Sequence, residues 1–432
     1  SRRIAAKMLM FWIALYLLSC AHSTPASEIK CRAEVVETIP TGLYPSLNIP
    51  TLSTYDAWSR LLKSAVHSID VASYYWSLLE ENTRGYKAGS NWTSKEGKEI
   101  FRLFMEAGAK RNVSIRVVED ITNGPGNEEV KTLVHYANAT SRGLNFTRLF
   151  GGGILHSKLL VVDRKHAYIG SANNDWRALT EVKELGVLLT NCSEVIADLE
   201  KVFESYWLVA ETNTIPTTWS NDIRTIYNFS SPINTQTNNQ SSDIYISGAP
   251  KALNPPGREN DLDAILLAIS SAKEFIHISV MDFFPRSLYK NDVEYWPVIE
   301  DALKTAAFER HVKVKLLASY WPQTRPDLKQ YLISYNALDN AMGYVSFQTK
   351  LFNVTSTEQQ ASIPFARVNH AKFMVTDNSV LIGTSNWTKD YFTFTSGLSV
   401  IFMGQQGDVR KNCEEIFLRD WHSQYAKNPE LF

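Results

Sequence analysis

"HSKLLVVDRKHAYIGSAN" (His156–Asn173) and "HAKFMVTDNSVLIGTSN" (His370–Asn386) set out nearly the same side chains twice in one chain. Each copy reads H-x-K-x4-D, giving His156, Lys158 and Asp163, then His370, Lys372 and Asp377. Each then enters a Gly-hydroxyl-x-Asn turn, Gly170-Ser171 before Asn173 and Gly383-Thr384 before Asn386. Histidine, lysine and aspartate are each a minor fraction of an average chain, so two such sets at matching places are far beyond chance. Residues two apart share one face of a β-strand, so His156 and Lys158 point together while Ser157 turns away. Leu159–Val162 continue as buried strand, and the glycine turn returns Asn173 to the same neighbourhood. One copy therefore offers an imidazole, a cation and a carboxamide, the groups that hold phosphoryl oxygens.

Working outward, the repetition extends past the motif. "AWSRLLKSAVHSIDVASYYW" (Ala57–Trp76) and "DAILLAISSAKEFIHISVMDFF" (Asp263–Phe284) are each an amphipathic helix followed by a β-branched, aromatic strand. "EGKEIFRLFMEAGAKRNVSIRVVED" and "YWPVIEDALKTAAFERHVKVKLLAS" repeat that grammar. A third helix-and-strand pair, "EEVKTLVHYANA…FTRLF" and "DLKQYLISYNALDN…FQTKLF", leads to each motif. Closing helices follow in "IADLEKVFESYW" and "RKNCEEIFLRDW". Strands alternating with helices imply an α/β fold with a mixed or mainly parallel sheet in each half. The halves are expected at 24–211 and 244–432. The Ser-, Thr-, Asn- and Pro-rich stretch 212–243 reads as a connector.

Phosphodiester cleavage needs a nucleophile at phosphorus and an acid for the departing oxygen on the opposite side. Two halves packed about a pseudo-twofold axis would bring His156 and His370 to one phosphate, with Lys158, Lys372, Asn173 and Asn386 around its free oxygens. The two rings must start in opposite protonation states, which an intrinsic pKa near ~6.5 allows at mildly acidic pH. A carboxylate would break the symmetry. Glu184, in "EVKELGV", is the candidate, because the second copy reads "FTFTSGLSV" and has no acid there. This reading makes His156 the nucleophile, oriented by Glu184, and His370 the general acid, with the reverse assignment as the alternative. Asp163 and Asp377 fall on the opposite strand face and read as structural. No metal cluster is visible, and metal-independent chemistry without a cofactor is expected. Trp176, Trp387 and Tyr391 flank the motifs and read as core. "GGGILH" (Gly151–His156) is no phosphate loop, since no helix carrying Lys-Ser/Thr follows it, and reads as a place for close backbone approach.

With 44 Lys and Arg against 45 Asp and Glu, the 432-residue chain has a net charge of −1, which excludes a general polyanion-coating protein. Residues 1–23 place Arg2, Arg3 and Lys7 before an apolar run, Met8–Leu18, too short for the ~20 residues of a bilayer span. They read as a secretory signal peptide or the start of a signal anchor. Sequons at Asn91, Asn112, Asn138, Asn145, Asn191, Asn228, Asn239 and Asn353 agree with the secretory pathway, whereas the one at Asn386 is expected to be buried and unmodified. Of the four cysteines, Cys20 belongs to the leader, Cys31 and Cys192 can close a disulfide in an oxidising compartment, and Cys413 reads as a buried thiol.

The paired motifs, with "GSANNDWRALTEVKELGV", "NCS", "RVNHAKFMVTD" and "GTSNWTKDYF", resemble the phospholipase D superfamily. Within it they are similar to the animal lysosomal 5′-exonucleases called phospholipase D isoforms 3 and 4. The likeness runs from Cys31 to Trp421. It implies a duplicated phospholipase D-like α-β-α sandwich of two pseudo-twofold-related halves sharing one active site, with a covalent phosphohistidine and no required metal. It further implies single-stranded DNA or RNA shortened from the 5′ end in an acidic organelle, a homodimer, a membrane tether at the N-terminus and a Cys31–Cys192 disulfide. Tyr320 and Phe394 depart from the pattern, the first at a position of a further disulfide and the second at that of a glutamate. The motif residues alone leave phospholipid open as the alternative substrate, and a non-catalytic lumenal binding protein as a third reading.

Overall fold

Alternation of buried side chains across the motif strands sets the architecture. Leu159 and Val161 face one core while Leu160 and Val162 face another. In the second copy Phe373 and Val375 join the same central core as Leu159, and Met374 points away from it. Each motif strand is thus buried on both faces, which requires apolar cover on each side. The computed structural model describes residues 30–432 except 45–50, 88, 91 and 290–292. The leader expected at 1–23 and the sequon at Asn91 lie outside the described residues.

The first sheet has seven strands in the order Arg32–Thr38, Glu184–Thr190, His166–Gly170, Leu159–Val162, Ser68–Ser73, Ser114–Asp120 and Ala139–Leu144. Its first four pairings are antiparallel and its last two parallel. Within the second sheet, Gln240–Ala249, Gly397–Met403, Ser379–Gly383, Lys372–Thr376, Phe275–Val280, Lys313–Tyr320 and Phe347–Asn353 repeat that order and those directions. Ile233–Thr237, Glu259–Asn260 and Ala426–Lys427 are added to it. The duplication therefore holds strand by strand.

Helices Thr54–Ser64, Lys95–Ala109 and Glu128–Tyr136 cover the outer face of the first sheet. Asp261–Ser271, Val298–Glu309 and Asp327–Asn336 cover that of the second. Between the sheets, one core joins strand residues of both halves to the closing helices Ser193–Thr212 and Asp408–His422. Both halves lie within one compact unit, Cys31–Phe432. Two local readings are corrected. "FTRLF" is a short helix, Phe146–Phe150, capped by the side chain of Asn145 and by left-handed Gly151, and the strand of that pair is Ala139–Leu144. The stretch 212–243 is not a bare connector, because Ile233–Thr237 pairs as an edge strand and Gln240–Ala249 begins inside it.

Cys31 and Cys192 form a disulfide across 161 residues, tying the edge strand to the start of a closing helix, and Cys413 is a buried free thiol. Among the sequons, Asn112, Asn138 and Asn239 are exposed, Asn145, Asn191, Asn228 and Asn353 half-buried, and Asn386 buried. Among the described residues no helix is long and apolar enough to cross a membrane.

Candidate active site

The motif strands begin at Leu159 and Lys372, so each histidine sits on a strap just ahead of its strand. The straps cross. Ile154 C=O accepts from Ser396 N–H (2.9 Å), and Val368 C=O accepts from Lys183 N–H (2.9 Å), so each strap pairs with the post-motif strand of the other half. Parallel bridges Leu155–Ser396 and Lys183–Asn369 extend this register. It makes Ser396 the counterpart of Lys183, Gly397 of Glu184, Phe394 of Glu181, Gly153 of Arg367 and Gly151 of Phe365.

That crossing brings the copies together. A cavity of about 500 Å³ is lined by His156 and His370, by Asn173 and Glu184, and by Tyr74 and Asp120. Glu184 does not orient His156, as the sequence reading had it. Its carboxylate lies 2.9 and 3.0 Å from Nδ1 of His370, and the hydroxyl of Ser171 donates to it at 2.5 Å. The physical reason is the strap exchange, which carries each post-motif strand past the other half's histidine. The position equivalent to Glu184 in the other half is Gly397, which has no side chain to offer. His156 instead packs edge-on to Tyr391 (centroids 5.0 Å) and beside Tyr74 (6.0 Å).

Lys158 and Lys372 lie beneath the histidines, fully buried, each ammonium donating to the carbonyl of the histidine two residues earlier (2.7 and 2.5 Å). Asn386 Nδ2 donates to Asp282 Oδ2 (3.2 Å) and to the Tyr391 hydroxyl (3.3 Å). Oδ1 of Asn173, Oδ1 of Asn386 and Nδ1 of His156 are buried with no hydrogen-bond partner among the described residues. Unpaired buried polar atoms are costly, and their gathering here marks a place built for a polar ligand.

Electrostatics separate the two rings. Burial drives the pKa of His156 well below 6.5, helped by Lys158, Lys372 and His370. Burial also lowers that of His370, but Glu184 opposes it there. Glu184 is pushed up by burial, yet His370 and Lys372 hold it below the usual carboxylate range. Burial lowers Lys372 to about 7 against the pull of Glu184 and Asp282. Lys158 is lowered well below 10.5 by burial and by Lys372. Burial and mutual repulsion disfavour charge on both lysines, and an anion between them would favour it.

Asp163 and Asp377 lie away from the cavity. Asp163 accepts from the N–H groups of Val66, His67 and Ser68 (2.6–2.9 Å), and Asp377 from those of Lys273 and Glu274 (2.9 and 3.1 Å). Each pins the turn between its half's first helix and first inner strand. Trp176 and Trp387 are core, whereas Tyr391 reaches the site. The triple glycine has its use at Gly153 (φ +89°), where a Cβ would overlap the carbonyl of Phe394.

The sequence reading missed Tyr74, Tyr75, Asp120, Met281, Asp282 and Trp321. All six lie at or just past the carboxyl end of a parallel strand. The usual placement of ligands beyond the carboxyl ends of open α/β sheets was the signal available for them.

The family model described as "PLD3/4, PLD-like domain" matches residues 46–357. The 5'-3' exonuclease PLD3 of Rattus norvegicus is 40% identical over 410 residues, covering 94% of this chain and 82% of that protein. The 5'-3' exonuclease PLD4 of Mus musculus is 38% identical over 408 residues, covering 92% and 79%. Among solved structures, phosphatidylserine synthase of Haemophilus influenzae Rd KW20 shares the fold with a TM-score of 0.56 at 14% identity, covering 86% of this chain and 84% of that one. With both motifs, the doubled sheet and these likenesses in place, the chain belongs to the PLD3/4 family of phospholipase D-like proteins.

Proposed function

We propose that this phosphodiesterase removes nucleotides from the 5′ end of single-stranded DNA or RNA through a covalent phosphohistidine. One observation carries the chemistry: two histidines from the two motif copies line a single cavity, and only His370 has a carboxylate. His156, held neutral, is the nucleophile, and His370, whose charged form Glu184 favours, is the acid. The ground for these roles is the difference in surroundings: Glu184 bonds His370 and favours its charged form, whereas His156 lies among Lys158, Lys372 and His370, which disfavour charge on it. An imidazole nitrogen of His156 attacks phosphorus while the ester oxygen leaves with a proton from His370. Neutral His370 then takes a proton from water, whose oxygen attacks phosphorus and breaks the P–N bond. Lys158, Lys372, Asn173 and Asn386 stabilise the charge on the non-bridging oxygens.

The named activity of the PLD3 and PLD4 relatives supports nucleic acid and the 5′-to-3′ direction. The disulfide and the exposed sequons support an oxidising lumen, with glycans on the accessible asparagines. Acid conditions suit a site that needs one charged histidine. Purified protein incubated at about pH 5 with end-labelled oligonucleotides and with phosphatidylcholine vesicles tests this directly. Stepwise loss from the 5′ end is expected. Cleavage of the lipid alone would transfer the same chemistry to phospholipid.

A further inference from the structure

The two straps share a backbone conformation but not its residues. Gly151 and Gly153 take φ of +76° and +89°, and their counterparts Phe365 and Arg367 take +56° and +57°. Glycine occupies this region freely, whereas a bulky residue there is strained. Arg367 has visible compensation. Its guanidinium binds Glu181 Oε2 (3.0 Å) and the carbonyls of Thr41 (3.0 Å) and Thr355 (2.6 Å). Phe365 has no such polar anchors for its side chain, which is 42% exposed. At Gly151 a Cβ would meet nothing within 4 Å, so this position points a side chain into open space.

Yet Phe365 is firmly held. Arg177, buried against Asp175, donates to the carbonyl of Pro364, and Arg367 N–H binds the carbonyl of Glu181 (3.0 Å). The ring lines the same cavity as the two histidines. Trp321 stands 6.4 Å away at 61°, and the guanidinium of Arg84 lies 5.7 Å from the ring centroid. A rigid, exposed, strained aromatic with a tryptophan and a cation beside it is the equipment of a base-stacking platform.

We infer that Phe365, with Trp321 and Arg84, forms the subsite that stacks a nucleobase of the chain being cleaved, Arg84 facing the adjoining phosphate. The inference rests on the nucleic-acid reading above and adds the residues that grip the substrate. Stacking is indifferent to base identity, so the platform should accept all four bases.

The experiment compares wild type with Phe365→Gly, Phe365→Ala and Phe365→Tyr on an oligonucleotide and on the same oligonucleotide carrying abasic residues near its 5′ end. KM should rise about tenfold for the Gly and Ala variants on the normal strand, within the range for one lost stack, and stay near wild type for Tyr. On the abasic strand, wild type and variants should converge. Phe365→Gly should also keep or raise the melting temperature, because glycine relieves the strained backbone, whereas a structural phenylalanine would lose stability. Unchanged KM in Phe365→Gly and Phe365→Ala, with wild type active on the oligonucleotide, overturns the platform alone. Wild type inert on every oligonucleotide overturns the nucleic-acid reading and the platform with it.

Discussion

His156 and His370 occupy equivalent places ahead of equivalent strands, and each carbonyl accepts from the lysine two residues on, yet the partners of their rings and N–H groups differ. His370 has Glu184 on one nitrogen, and its N–H binds the carbonyl of Lys183 (2.7 Å). Lys183 is itself locked to Glu37 (2.8 Å), whose pKa burial raises but Lys183 and Arg419 pull down to about 2. His156 has Gly397 in place of the acid and Ser396 in place of the lysine, with Ser396 Oγ accepting from its N–H (3.2 Å). Ser157 and Tyr206 complete a neutral hydroxyl cluster there. One arm is thus braced by buried charge and the other by hydroxyls. The fold supplies the symmetry of position, and a handful of side chains supply the asymmetry of chemistry.

The sharpest way to break this comparison is to remove each ring. His156→Ala and His370→Ala should each lower turnover by about 10⁴-fold on a natural diester. An activated p-nitrophenyl ester, whose leaving group needs no proton, should rescue His370→Ala and not His156→Ala. Phosphoryl enzyme trapped on His156 should then accumulate, and equal rescue of both variants would sink the assignment of roles.

The bracing comes next. Lys183→Ala takes one of two cations from the buried carboxylate of Glu37, leaving Arg419 as its remaining charged partner, and should cost about 3 kcal/mol in chemical denaturation. Ser396→Ala removes neutral bonds and should cost about 1 kcal/mol. Similar losses would mean the two arms are held alike.

Glu184→Gln should reduce kcat by roughly a hundredfold and move the pH profile. Active protein needs His370 charged and His156 neutral. The alkaline limb therefore follows His370, which sits below 6.5, and the acid limb follows His156, lower still. Removing the carboxylate lowers His370 further, so the alkaline limb should shift to lower pH. An unmoved limb would assign that proton elsewhere.

The smallest effects belong to the motif aspartates. Asp163→Ala and Asp377→Ala should each cost about 1–2 kcal/mol with wild-type pH dependence of activity. Burial raises the pKa of Asp163, but its three N–H partners outweigh it and leave it below 3.8. Its stabilisation is therefore complete above that pH and fades as pH falls through the depressed value.

Motif residues and the doubled sheet were legible because their signals are local: a two-residue spacing, a glycine turn and helices alternating with strands. Glu184 was legible as the odd acid, but its partner was not, because no spacing along the chain reveals that the straps exchange. The edge strand "INTQT" (Ile233–Thr237) escaped notice since only Ile233 and Thr237 are buried, too weak an alternation to stand out from a polar connector. Phe365 escaped because exposure and a left-handed backbone are properties of the folded chain alone.

The crossed straps also bear on why both copies share one polypeptide. Two identical single-copy chains, each lending its strap to the other, would have to give both rings the same neighbours. Covalent fusion lifts that restriction, so a change beside one ring need not appear beside the other. A carboxylate at one imidazole and a bare glycine at the other are arrangements that identical partners could not reach, and division of labour between proton donor and nucleophile follows from that freedom.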